Sequence, residues 1–301
     1  VGDLKYFLLA LVALNIAAQQ PGASRAQMIS DLQEFTRSLG FQETGNFRQH
    51  KPEMKAHYRC YYTGKLTLPD SYEGLRLAAG SEAGCSLDEA KYDVFFYRIE
   101  AVASGEAPVT ESMNCVSDER AAVVVAHEDF HEAVLGLPPR VGEAASTLLG
   151  FLSAAEFAKA RFGESSEMYR NLRQEAELFR RKAELICSYH EKLSRVYAEG
   201  GRSPAGKAAA LARKKELFDA LERDCLAIEP EPHSFNRCPA VFNNAGLAFD
   251  MTYARYYPLL YDVYLAHASD LRALIATLKK VNEARWRDEE ALERRLREII
   301  K

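Results

Sequence analysis

His127, Glu128 and His131 stand in the string His127-Glu128-Asp129-Phe130-His131, an H-E-x-x-H pattern. On an α-helix, residues four apart project from one face. Two imidazoles at that spacing can bind one zinc ion. Glu128 lies about 100° further round the same helix, close enough to take a proton from a water that the cation polarises. The plainer alternative is that both histidines are ordinary, partly buried side chains.

Zinc in a catalytic site needs a third protein ligand and an open fourth position. Six residues past His131, where a metzincin would place a histidine, stands Leu137, and no His or Cys occurs between 132 and 186. Gly136, Pro138 and Pro139 stop the first helix, so the chain can turn and bring a second helix back against it. Glu143 opens that second helix and is the first carboxylate able to reach back. Glu156 lies roughly 20 Å further along. An acid in a first helical turn is also favoured by the helix dipole alone, which leaves Glu143 a structural reading as well. Glu132 points round the helix from His131, towards solvent or the rim of the site.

The elements that must position these groups follow from periodicity. Residues 27–40 read as a helix stopped by Gly40. Aromatic and β-branched residues over 56–68 suggest strands around a turn, 72–80 a short helix, 92–102 the strongest strand and 108–113 a short second strand. The strand 108–113 could be an edge that pairs with an extended peptide. Ser117 caps a helix carrying AAVVVAHEDFHEAVLG and ending at Gly136. Helices follow over 142–162, 165–199, 207–227, 240–266 and 268–299, with the third and fourth of the chain's later helices separated by a Pro-rich loop at 229–239. The fold class is α+β: a small mixed sheet and the H-E-x-x-H helix, then a mainly helical part. The divisions are 1–26, 27–163 and 164–301.

The chain has 301 residues, 48% hydrophobic and 27% charged, with a net charge of −4. This is globular composition, and it argues against nucleic acid as the main partner, which would need a clustered basic surface. Lys5, the apolar run 6–18 and the small residues of Ser24-Arg25-Ala26 read as a signal peptide over 1–26. The run is short for a membrane anchor, so no stable span is expected once it is removed. The expected location is periplasmic or secreted. Of the six cysteines, Cys225 and Cys238 flank the loop IEPEPHSFNRCP and form the most natural pair. Oligomeric state and substrate preference are not written in the sequence.

Three stretches together resemble the bacterial predicted-aminopeptidase family, a short-spaced gluzincin group: VVVAHEDFHE, VGEAASTLLGF and VFNNAGLAFDMTYARYYPLLYDVY. The strand YDVFFYRIEAVAS sits where that family places the strand before its metal helix, and the likeness covers most of residues 35–280. It implies a zincin-like fold, Zn2+ held by His127, His131 and Glu143, and hydrolysis of peptide bonds by an aminopeptidase acting on short peptides. Two departures are Asp129, where the family usually has an apolar residue, and Gly142, where it commonly has Asn. Beyond the metal site, Tyr253 is a candidate hydrogen-bond donor to an oxyanion, against the reading of a core tyrosine. Asn243 and Asn244 are candidate braces of the site or purely structural caps. His190 and His233 lack ligand spacing. The alternative from a different class is an exported helical binding or scaffold protein whose zinc site is structural or degenerate. Four closed ligands would favour that; three ligands and an open side favour the enzyme.

Overall fold

Side-chain caps mark where most helices begin. Ser117 Oγ accepts from the Arg120 amide at 3.1 Å, Ser166 Oγ from Tyr169 at 3.3 Å, and Ser203 Oγ from Gly206 at 3.1 Å. Each satisfies one of the first-turn N–H groups that a helix cannot pair internally, worth about 1 kcal/mol. The computed structural model describes residues 21–102, 105–200, 203–230, 238 and 241–301.

The first helix, α1 (Pro21–Leu39), ends at Gly40, whose φ of 111° few other residues tolerate. β1 (His50–Lys51) and β5 (Val109–Thr110) form a short parallel pair. β2 (His57–Gly64), β3 (Arg76–Ala78) and β4 (Tyr92–Ile99) form an antiparallel sheet in the order β3-β2-β4. Then come α2 (Glu111–Cys115), α3 (Asp118–Phe130), α4 (Pro139–Phe162), α5 (Glu167–Glu199), α6 (Pro204–Leu226), α7 (Asn244–Ala254), α8 (Tyr257–Ala266), α9 (Leu271–Asn282) and α10 (Glu289–Ile299). The architecture is α+β with small sheets and a mainly helical remainder.

Several sequence expectations change here. Residues 56–68 make one strand, β2, and then a turn closed by Thr67 N to Gly64 O at 3.0 Å. Residues 72–80 are a 3-10 turn (Tyr72–Gly74) followed by β3, because pairing of 76–78 with β2 outweighs the local helical pattern. Only Val109 and Thr110 of 108–113 are strand; the Thr110 hydroxyl then accepts from the Met113 amide and starts α2. α3 stops at Phe130, and 131–133 form a 3-10 turn. Pro258 sits in the first turn of α8, so 240–266 is two helices, and 268–299 is divided at residues 283–288.

Every α3 residue from Ala121 to Phe130 is buried, with α1 on one side and α4 on the other. α4 in turn packs on α5, α7 and α8, so one apolar core runs from α1 through to α10. A smaller cluster joins the sheet to α7, with Phe95 and Phe249 rings 4.7 Å apart. No helix among the described residues is long and apolar enough to cross a membrane. Cys225–Cys238 pair as expected, with Cα atoms 5.5 Å apart, and Cys60–Cys85 pair at 6.0 Å, while Cys115 and Cys187 are free thiols.

Most of the signal segment, 1–20, lies outside the described residues, as does His233. The cleavage position read at Ser24-Arg25-Ala26 falls within α1. The Arg25 guanidinium donates to the carbonyl of Val116 at 2.5 Å and pairs with Asp118 at 3.2 Å.

Candidate metal centre and its cavity

The close crossing of α3 and α4 depends on Gly150. A Cβ there would lie 3.0 Å from the Val123 carbonyl oxygen and 3.3 Å from His127 Cβ. With no side chain at that point, α4 comes down onto the H-E-x-x-H face and sets Glu143, one turn into α4, opposite both imidazoles.

His127 Nε2 and His131 Nε2 are 3.1 Å apart. Glu143 Oε2 is 3.4 Å from the first and 3.3 Å from the second. A tetrahedral ion with bonds of about 2.0–2.1 Å has ligand atoms about 3.3 Å apart. The three atoms therefore form one face of such a tetrahedron. Among the described residues this is the one group of three or more His, Cys, Asp or Glu able to hold a metal ion. Glu143 Oε2 is buried and accepts no hydrogen bond, which fits a carboxylate reserved for a cation. Glu156 and Glu132 take no part in the triad.

Neighbours orient these three side chains. The Thr147 hydroxyl donates to the Glu143 carbonyl at 2.8 Å, which leaves its lone pairs facing His127 Nδ1 at 3.4 Å. That arrangement favours the proton on Nδ1 and a bare Nε2 in the triad. The Tyr72 hydroxyl donates to the other Glu143 oxygen, Oε1, at 3.3 Å. Tyr72 is itself pinned to α7, its amide donating to Thr252 Oγ1 at 2.9 Å.

Burial and charge tune the group. Burial opposes charge on Glu143, yet the His131 and His127 imidazoles outweigh it and hold the carboxyl well below the usual range. His131 is pushed up, because the Glu143 carboxylate overcomes the burial penalty; burial pushes His127 down. Burial raises Glu128 to about 7, with His131 pulling against it and Glu143 adding to it. Glu128 Oε2 accepts no hydrogen bond. A carboxyl with that pKa, facing the cavity, can take up or release a proton near neutrality.

The triad and Glu128 form the floor of a cavity of about 220 Å3. The sheet supplies Arg59, Tyr61, Tyr97 and Ile99, the chain after β4 supplies Glu100 to Val102, and α7 supplies Phe249 and Tyr253. Tyr253 therefore belongs to the cavity, its ring 6.4 Å from that of His127. Burial, then the Glu143 charge, raises its hydroxyl well above the ordinary tyrosine range, so it stays a donor. Arg120 and Glu100 close a half-enclosed ion pair at 3.0 Å on the opposite wall.

Other candidates fall elsewhere. Val109 and Thr110 are buried against β1 and line no part of the cavity; the strand beside it is the end of β4. Asn243 caps α7 and donates to the Val94 carbonyl at 2.9 Å. Asn244 is fully buried, donating to Lys65 O and Thr67 O and accepting from Tyr197. Both brace α7 against the sheet, outside the cavity. Asp129 faces the other way from the triad, accepting from Thr44 at 2.5 Å, Gln33 at 3.0 Å and Asn46 at 3.1 Å. It ties α3 to α1 and the loop after it. His190 contacts the Pro69 carbonyl at 3.1 Å, away from the triad.

Sequence reasoning missed Tyr72, Thr147 and Arg59. Thr147 carried a faint signal, four residues past Glu143 on one helix face; Tyr72 and Arg59 reach the site only through tertiary packing.

No curated protein and no solved structure matches the chain. A family model described as "Putative aminopeptidase" matches residues 71–292, more than half of the sequence and all of the triad. The chain belongs to that family of putative aminopeptidases.

Proposed function

We propose that the protein is a zinc-dependent peptidase of gluzincin type, with a zincin-like arrangement, acting on short peptides. The observation that carries this reading is the triangle of His127 Nε2, His131 Nε2 and Glu143 Oε2, with sides of 3.1, 3.4 and 3.3 Å and one side open to a cavity that also holds Glu128. Three ligands with an open side favour catalysis over a closed structural site. Zinc bound there would supply Lewis acidity towards the scissile carbonyl and ease deprotonation of water.

The chain's own groups then divide the work. Glu128 accepts a proton as the water oxygen bonds to the carbonyl carbon, and returns it to the amide nitrogen as the C–N bond breaks. Tyr253 donates a hydrogen bond to the oxygen that gains charge. Tyr72 and Thr147 hold Glu143 and His127 in place. α7, from the helical part, covers the cleft and supplies the apolar wall through Phe249.

Export is part of the proposal. The apolar run 6–18 supports it, as do two disulfides, which persist in oxidising compartments. Cleavage upstream of Arg25 keeps that residue's bonds to Val116 and Asp118.

The test is Glu128→Gln. It retains about one zinc per chain, because Glu128 is not a ligand, and loses about 10²–10⁴-fold in turnover of short peptides. Near-normal turnover by this variant would remove Glu128 from the chemistry.

A further inference from the structure

Among the described residues, each carboxylate that lines the cavity already has a partner or a proposed role. Glu143 faces two imidazoles, Glu128 is the proton acceptor, and Glu100 is paired with Arg120 at 3.0 Å. The charge left over is positive. Arg59 lines the cavity from β2, half-buried. Its guanidinium donates to the Tyr58 carbonyl at 3.1 Å and lies within hydrogen-bonding reach of the Tyr61 hydroxyl. Among the described residues no carboxylate stands within ion-pair distance of it.

Sheet geometry explains why it points there. Arg59 and Tyr61 are two apart on β2, and Tyr97 lies directly across from Arg59 on β4. Alternation along a strand puts all three on one face, and that face forms the wall over the triad. Tyr72, tilted against Tyr61 with ring centres 6.2 Å apart, links this wall to Glu143. A guanidinium offers five N–H donors in a planar fork that matches a carboxylate bidentately. Walls of aromatic rings keep water from screening that contact. The residue also precedes the stretch matched by the family model, which begins at 71.

We propose that Arg59 is a specificity residue that binds a carboxylate of the peptide substrate, either its C-terminal group or an acidic side chain. The proposal rests on the peptidase reading for what enters the cavity. The group selected on the substrate is then an acid.

Binding to the zinc-loaded Glu128→Gln protein tests this by calorimetry without turnover. The probes are trileucine, its C-terminal amide, N-acetyl-trileucine, and an N-acetylated, C-amidated form with glutamate in the last position. At least one carboxylate, terminal or side-chain, raises affinity about 10–100-fold whether or not the amino terminus is acetylated, as a charge-assisted contact does. A gain from the free C-terminus identifies the first source; a gain from glutamate in the amidated peptide identifies the second. Arg59→Gln abolishes the gain, and Arg59→Lys restores part of it. The proposal is overturned if no probe binds, if neither carboxylate strengthens binding, or if the gain survives in Arg59→Gln. Carboxylate-dependent binding of peptides that wild-type enzyme never cleaves would instead sink the peptidase reading alone.

Discussion

Between α5 and α7 the Lys182 ammonium and Asp250 carboxylate, 1% and 2% exposed, meet at 3.2 Å. Around the cavity, Glu128 and Glu143 are nearly as enclosed, yet each keeps a carboxylate oxygen that accepts no hydrogen bond. Asp93 belongs with the first pattern, closed by Lys65 at 2.8 Å, by Lys214 and by the Asn244 amide at 2.9 Å. A buried charge with all its partners contributes to one specific packing. A buried charge left open costs stability, and a fold keeps it where the missing partner is a ligand or a reacting atom. The same side-chain type is thus closed off in one region and left open in the other, as the proposed peptidase chemistry requires.

The largest contrast comes from neutralising one acid in each region. Asp250→Asn removes the charged partner that meets Lys182 at 3.2 Å in the core and should cost about 3–5 kcal/mol in urea unfolding. Replacing both partners, as in Lys182→Met with Asp250→Leu, should recover much of that loss. Glu143→Gln in metal-free protein should cost clearly less than Asp250→Asn, since the attraction it loses is to the His131 and His127 imidazoles, which can become neutral, and no fixed charge is left behind. Its zinc affinity should nonetheless fall by more than the 10–100-fold typical of an outer partner. If Glu143→Gln unfolds the apo protein as strongly as Asp250→Asn, the triad is architecture and the contrast fails.

Next in size is Thr147→Val, which keeps shape and removes the hydroxyl between the Glu143 carbonyl and His127 Nδ1. Zinc affinity should drop about 10–100-fold, with helix content unchanged. A competition titration with a chelator of known affinity reads this directly. Unaltered affinity would mean that packing alone orients His127.

How much of this was legible depends on how far apart the partners lie in sequence. His127 and Glu128 lie on α3 and His131 on the 3-10 turn that continues it, so spacing alone placed them. Glu143 needed only one reversal, and LGLPPRVG announced it. Ser117 was readable as a cap because a cap acts within three residues. Tyr72 meets Glu143 across 71 positions and Arg59 enters through strand register, so no local pattern marked either. The same limit explains 72–80, where helical periodicity lost to pairing of Arg76–Ala78 with β2. Residues 108–113 failed in the same way, since Thr110 caps a helix that the alternation hid. Pro258 was visible as a helix breaker, and the apolar run on both sides concealed the break between α7 and α8.

A smaller effect compares two buried imidazoles. His127 is in the triad, whereas His190, 6% exposed, sits between the Pro69 carbonyl at 3.1 Å and Asp70 at 3.5 Å. Burial lowers the pKa of His190 from 6.5, opposed by Pro69 and Asp70, with Arg255 and Arg140 adding to the lowering. The folded state therefore binds this proton more weakly than the unfolded chain does. Where the unfolded state holds more protons, stability rises with pH. The contribution of His190 is then complete above the unfolded value of 6.5 and is lost as pH falls below it, until the folded imidazole also protonates. Each unit of depression is worth about 1.4 kcal/mol. In metal-free protein, the difference in unfolding free energy between wild type and His190→Asn should shrink as pH drops from 7 towards 5. A difference that stays flat or widens over that range would show that the Asp70 carboxylate, not burial, governs His190, and would place it with the closed ion pairs of the bundle.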